Sequence, residues 1–114
     1  MKVVKFGEKI PKRAVICLGY FGCLHVGHLA LLDKAKSLAS KLGAQVALMT
    51  FSGSPKTYFG LSQKTLFTFE ERKLIFAGQG IDYLVVSPFD KTVATTSGAE
   101  FLKAVAEYEP VAIV

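Results

Sequence analysis

Long hydrophobic runs are missing from this chain. No segment approaches the ~20 apolar residues of a membrane-spanning helix, and the N-terminal "MKVVKFGEKIPKR" holds no apolar stretch long enough for a signal peptide. Cysteine is scarce. Cys17 and Cys23 are the only two; their spacing fits no familiar zinc pattern, and two cysteines make no disulfide framework. A reduced, cytoplasmic setting is the expectation, with Cys17 a small buried hydrophobe inside an apolar run. No basic run interleaves with aromatics, which argues against a nucleic-acid partner. The net charge of +5 still favours small anionic ligands, nucleotides among them. Repeats, low-complexity tracts and linkers are absent as well, so the 114 residues read as one domain, 1–114, apolar enough at 51% to bury a core.

What is present alternates two kinds of segment. "AVICLG" (14–19), "AQVALMTF" (44–51), "DYLVVSP" (82–88) and "VAIV" (111–114) are short continuous apolar runs, the pattern of strands buried on both faces. Between the first two, Leu29, Leu32, Ala35, Leu38, Ala39 and Leu42 recur at helical spacing, and Gly43 follows as a stop. Thr68 stands three residues before Glu71, a capping-box spacing that opens a helix to about Gln79. Ser97 and Glu100 repeat it ahead of Phe101, Leu102, Val105 and Tyr108. Strands alternating with amphipathic helices predict an α/β, Rossmann-like three-layer sandwich with a parallel sheet. Numbered along the chain, the four strands take the order 3-2-1-4. Ligands in such sheets bind at the carboxyl ends of the strands, and the crevice expected here lies between strands 1 and 4.

The turn after the first strand, "GYFGCLHVGH" (19–28), carries both histidines of the chain among three glycines. His25 and His28 flank Gly27 where a helix opens, and its free N–H groups and dipole suit a phosphate. Gly19, Gly22 and Gly27 let a backbone approach a ligand closely. Two imidazoles at this spacing can both donate to one phosphate chain as charge develops on it. The competing reading makes them ordinary polar residues of a capping turn. Zinc would need a third ligand that the cysteines are poorly placed to give, and no orienting acid marks a triad, since Asp33 lies inside the helix. Residues 52–67, "SGSPKTYFGLSQKTLF", form a connection long enough to be functional.

"GYFGCLHVGHLALLDKAKSLA" resembles the ATP-binding segment of the HxGH nucleotidyltransferase superfamily. In particular it is similar to the adenylyltransferase module of prokaryotic riboflavin kinase/FAD synthetases. "ALMTF" with Pro55, "TFEERKLIF" and "DYLVVSPFDKTVATTSGAEFL" resemble later segments of that module, so the likeness covers most of residues 14–114. The resemblance implies transfer of AMP from ATP to the phosphate of FMN, giving FAD and pyrophosphate, with Mg²⁺. It implies that His25 and His28 bind the ATP phosphates. Gly19, Tyr20 and Phe21 would then line the nucleotide, Gly27 would make room for it, and Thr50 and Phe51 would close the strand end beside it. In the resembling enzymes the long connection lies by the flavin, so Pro55, Lys56, Tyr58 and Phe59 become flavin or flap residues, with Tyr58 or Phe59 stacking on the ring and Lys56 or Lys64 meeting a phosphate; the competing reading has the aromatics pin the loop to the core. Gly22 and Cys23 stand where the family usually reads Asp-Gly. The chain also stops at Val114, before the family's Gly-x-Asp-Phe-type loop. The expected edge beside the last strand is therefore apolar and open. It predicts a homodimer or higher assembly, or else a chain that continues. Three other readings stay open: a nucleotide-binding module without turnover, a relative using another phosphate acceptor, and a structural assembly subunit.

Overall fold

The structure, a computed structural model, describes residues 1–10, 13–21, 26–53, 59–60 and 67–114. Five strands form one parallel sheet: β1 (Lys2–Lys5), β2 (Ala14–Leu18), β3 (Gln45–Phe51), β4 (Tyr83–Ser87) and β5 (Ala112–Ile113), ordered β1-β4-β3-β2-β5. Among the described residues the helices are α1 (Val26–Leu42), α2 (Phe69–Ala77), α3 (Lys91–Thr95) and α4 (Gly98–Ala106). The order expected for four strands is present as β4-β3-β2-β5. Two elements were not expected: β1, which pairs with β4 from Lys2↔Tyr83 to Lys5↔Val86, and the single turn and a half of α3.

The apolar runs are continuous because each strand serves two cores. Val15 and Cys17 of β2, Val46 and Leu48 of β3 and Leu84 of β4 pack with Leu32, Ala35 and Ala39 of α1 and Phe76 of α2. Their neighbours Ala14, Ile16, Ala47, Met49, Tyr83 and Val85 point the other way, toward Val4 of β1 and Val105 of α4. Successive side chains of a strand face opposite sides, so helices on both faces demand apolar residues at every position. Leu42, expected inside, is 46% exposed at the last position of α1, where the chain already turns away through Gly43 at φ +61°.

Both capping spacings are used, in different ways. Thr68 Oγ1 accepts from the Glu71 N–H, and Glu71 Oε1 accepts from the Thr68 N–H at 2.9 Å, a complete box. Ser97 Oγ also accepts from the Glu100 N–H, but Glu100 Oε1 takes the Ser97 hydroxyl rather than its backbone N–H. The outer strands are β1 and β5, and Ile113 on β5 is 46% exposed. Among the described residues no helix is long and apolar enough to cross a membrane.

Candidate functional site

The strand ends carry two distinct arrangements. The first surrounds the turn that leaves β2. Gly19 continues the strand, its N–H donating to the Met49 carbonyl at 3.1 Å. Phe21 then takes φ +52°, a backbone conformation that a bulky residue rarely adopts and one that a fold retains where something over-determines it. Its ring is buried and folds back beneath Gly19. A Cβ at Gly19 would stand 2.6 Å from Phe21 Cε2, so no larger residue fits while the ring stays there. The same ring meets His28 edge-to-face at 4.9 Å and Phe76 at 6.4 Å.

His28 thus sits half-buried in the first turn of α1, held by an aromatic contact. No acidic residue in that turn opposes an anion at the helix mouth. Thr50, at the end of β3, points its hydroxyl into the Tyr20 carbonyl at 2.8 Å, joining the third strand to this turn. Cys17, under the turn, is fully buried, and burial pushes its thiol up to about 11, so it stays neutral and unreactive.

The second arrangement is a cavity of about 370 Å³ on the α4 side of the sheet. The ends of four strands contribute to its wall: Phe6 just past β1, Leu18 of β2 and Gly19 just past it, Thr50 and Phe51 of β3, and Ser87 of β4. Val93 of α3 and the opening of α4 at Ser97 and Gly98, with Phe101, complete it. The lining is largely apolar, and its volume lies in the ~300–1,000 Å³ range of small-molecule sites. The aromatic rings form a chain along the rim: Phe51 meets Phe89 at 5.0 Å, and Phe89 meets the exposed Phe59 at 5.9 Å. Gly19 borders both arrangements, lining the cavity while Phe21 occupies the space its own side chain would take.

Of the residues singled out from sequence, the structure gathers Gly19, Tyr20, Phe21, His28, Thr50 and Phe51 at the ends of β2 and β3. Gly27 lies in the first turn of α1, and Phe59 reaches the cavity rim. His25, Gly22, Cys23, Pro55, Lys56, Tyr58 and Lys64 lie outside the described residues. The cavity itself opens over β1, β4, β3 and β2, away from the β2/β5 crevice that the strand order alone suggests. Sequence reading missed Phe6, Phe89 and Phe101 as cavity residues. It also missed Arg72, whose guanidinium grips the carbonyls of both strand ends. A signal for Arg72 was present: with Phe69 and Phe76 it falls on the inward stripe of α2, a charge in an apolar position.

A family model described as FAD synthetase matches residues 7–114. The chain belongs to the FAD synthetase family. It is 33% identical over 93 residues to the bifunctional riboflavin kinase/FMN adenylyltransferase of Bacillus subtilis (strain 168), which covers 79% of this chain and 29% of that protein. The protein of the same description from Listeria monocytogenes is 30% identical over 91 residues, covering 77% of this chain and 29% of its own length. The chain therefore spans less than a third of these two family members. Among solved structures, a crystal structure of a macrolide-efflux protein from Streptococcus pneumoniae superposes with a TM-score of 0.80 at 25% identity, over 98% of this chain and 47% of that one. Among the described residues no group of three His, Cys, Asp or Glu side chains gathers to hold a metal.

Proposed function

We propose that this chain performs adenylyl transfer from ATP to FMN. An oxygen of the FMN phosphate attacks the α-phosphorus of ATP, the bond from that phosphorus to the bridging oxygen of the β-phosphate breaks, and FAD and pyrophosphate result. The observation that carries the reading is the juxtaposition at Gly19. A histidine-bearing helix mouth lies on one side and a phenylalanine-walled cavity at the strand ends on the other. The first suits the triphosphate, and the second suits a flat apolar ring system such as isoalloxazine. His28, with His25, donates to phosphate oxygens as charge grows on the leaving pyrophosphate. Tyr20 and Phe21 shape the backbone beside the nucleotide, Gly27 keeps the helix mouth open, and Thr50 and Phe51 separate the nucleotide from the ring. Pro55, Lys56, Tyr58 and Phe59 serve as flap over the flavin. No covalent enzyme intermediate is required, so catalysis rests on positioning and electrostatics. Mg²⁺, where it accompanies ATP, contributes charge neutralisation of the phosphates.

The test is incubation with ATP, Mg²⁺ and FMN, followed by chromatography for FAD. The wild-type chain is expected to form FAD, and His28→Ala to lower the rate about a hundredfold. A chain that binds ATP by calorimetry yet forms no FAD would refute turnover. It would leave the second reading, a nucleotide-binding module without chemistry. That reading is favoured by Gly22, which stands where the family usually carries a carboxylate. The apolar β5 edge supports self-association, which a dilution series by analytical ultracentrifugation decides.

A further inference from the structure

Among the described residues the largest fully buried side chain is a charged one, Arg72 of α2, at 1% exposure. Among the described residues no carboxylate pairs with it. Its charge is met by oxygens and ring faces instead. One terminal nitrogen donates to the Tyr20 carbonyl at 2.9 Å and reaches Thr50 Oγ1 at 3.4 Å. The other donates to the carbonyls of Phe51 at 2.8 Å and Ser52 at 3.1 Å. The guanidinium carbon lies 4.3 Å from the centroid of the Tyr20 ring and 5.4 Å from that of Phe69. Burial pulls the guanidinium below its ordinary value, the neighbouring Tyr20 opposes that, and Nε has no partner among the described residues. Burying a cation without a counter-ion is costly, and an apolar side chain would fill the space without that cost. What the guanidinium does, and an apolar side chain does not, is fix the orientation of three carbonyls at once.

The Tyr20 carbonyl is the consequential one. It accepts from both Arg72 and Thr50, and it belongs to the peptide that enters Phe21 at φ +52°. Rotation of that peptide sets where the Phe21 ring lies, and the ring packs edge-to-face against His28 at 4.9 Å. The Phe51 and Ser52 carbonyls lie at the root of the 52–67 connection. We propose that Arg72 is a positioning residue. By clamping the Tyr20 peptide from behind, it holds Phe21 in its left-handed conformation and so aims His28 at the helix mouth, while tying the start of the long connection to the same point. This rests on the nucleotide reading of the turn given above.

The test separates positioning from mere stability. The chain has two histidines, so a His25→Gln variant assigns the His28 ring-proton resonances, which the Phe21 ring displaces by its ring current. Arg72→Met removes the clamp while keeping the volume. Thr50→Val removes the second donor to the Tyr20 carbonyl without touching the charge. Val105→Ala, on the opposite face of the sheet, destabilises without touching the turn.

Arg72→Met is expected to move the His28 resonances and to lower kcat for FAD formation about tenfold or more, with the KM for FMN little changed. Thr50→Val is expected to move them less, and Val105→Ala not at all. Arg72→Lys, with a point charge in place of a fork, is expected to restore only part of the effect. His28 resonances unmoved in Arg72→Met and Thr50→Val, or moved equally by Val105→Ala, would overturn the inference. If Arg72→Met does not fold, Thr50→Val decides alone. A wild-type chain that makes no FAD would sink the proposed function, while the resonances would still decide the positioning role.

Discussion

On the α1 side of the sheet the strand ends are tied by directional hydrogen bonds; on the α4 side they end in a hollow walled by phenylalanine rings. In the first region Arg72, Thr50 and the carbonyls of Tyr20, Phe51 and Ser52 leave little freedom, and Phe21 and Phe76 wedge the turn from below. In the second, Phe6 and Phe101 stack at 5.9 Å with planes 8° apart, and Phe51, Phe89 and Phe59 follow edge to face. Hydrogen bonds set angles, which a turn meant to meet phosphate oxygens needs. Ring walls set shape and dryness, which a flat apolar ligand needs. The difference implies that the first region resists change as part of the core and that the second tolerates it as a binding surface.

Two phenylalanines would break that comparison most directly. Phe76 is fully buried under the turn, and Phe76→Ala is expected to cost about 3–5 kcal/mol in urea denaturation. Phe101 is half-buried on the cavity wall, and Phe101→Ala is expected to cost only about 1–2 kcal/mol. The second variant should instead show its effect in the KM for FMN. Equal stability losses would mean that the hollow is part of the core rather than a site.

A smaller effect sharpens the same contrast. Gly98 opens α4 and lines the cavity, and a Cβ there would meet nothing within 4 Å. Gly98→Leu should therefore fit the fold, and should stabilise it by up to about 0.5 kcal/mol because glycine is a poor helix former. It is expected to raise the KM for FMN about tenfold by filling the hollow, leaving ATP affinity by calorimetry unchanged. An unchanged KM for FMN would place the ring elsewhere.

How much of this was legible in the sequence follows from the kind of interaction involved. The three central strands could be read because a strand buried on both faces must be apolar throughout, and the β4-β3-β2-β5 order followed from crossover handedness. Strand β1 could not. Its "KVVK" buries only Val4, and it forms because the edge of β4 offers unpaired backbone groups, a tertiary cause with little local signature. Gly19, Tyr20, Phe21 and His28 could be picked out together because they lie within ten residues of one another in the chain. The cavity could not, since Phe6, Phe89 and Phe101 are scattered along the sequence and meet only through the topology. Arg72 was hidden by a sound habit: a charge in "EERK" reads as a solvated helix face, even though its spacing from Phe69 and Phe76 puts it on the inward stripe.

The smallest expected effect concerns how α2, which carries Arg72, is anchored at its start. Glu71 is fully exposed, and its carboxyl is held below its ordinary value of 4.5, first by the Thr68 backbone N–H and then by the Thr68 side chain. A depressed carboxylate adds stability above its unfolded pKa and loses it as pH falls through the folded one. The gap in thermal stability between wild type and Glu71→Ala is therefore expected to be full near neutral pH and to narrow below 4.5. Thermal unfolding of both proteins at about pH 7 and pH 3 measures it. The His28 resonances should stay in place across the two proteins at neutral pH, because Arg72, although next to Glu71 in the chain, is buried and holds the turn from the inner face of α2, whereas Glu71 is exposed. If they move with Glu71→Ala, the anchoring of α2 and the seating of His28 are one cooperative unit, and the hydrogen-bonded region extends further toward solvent than its buried part.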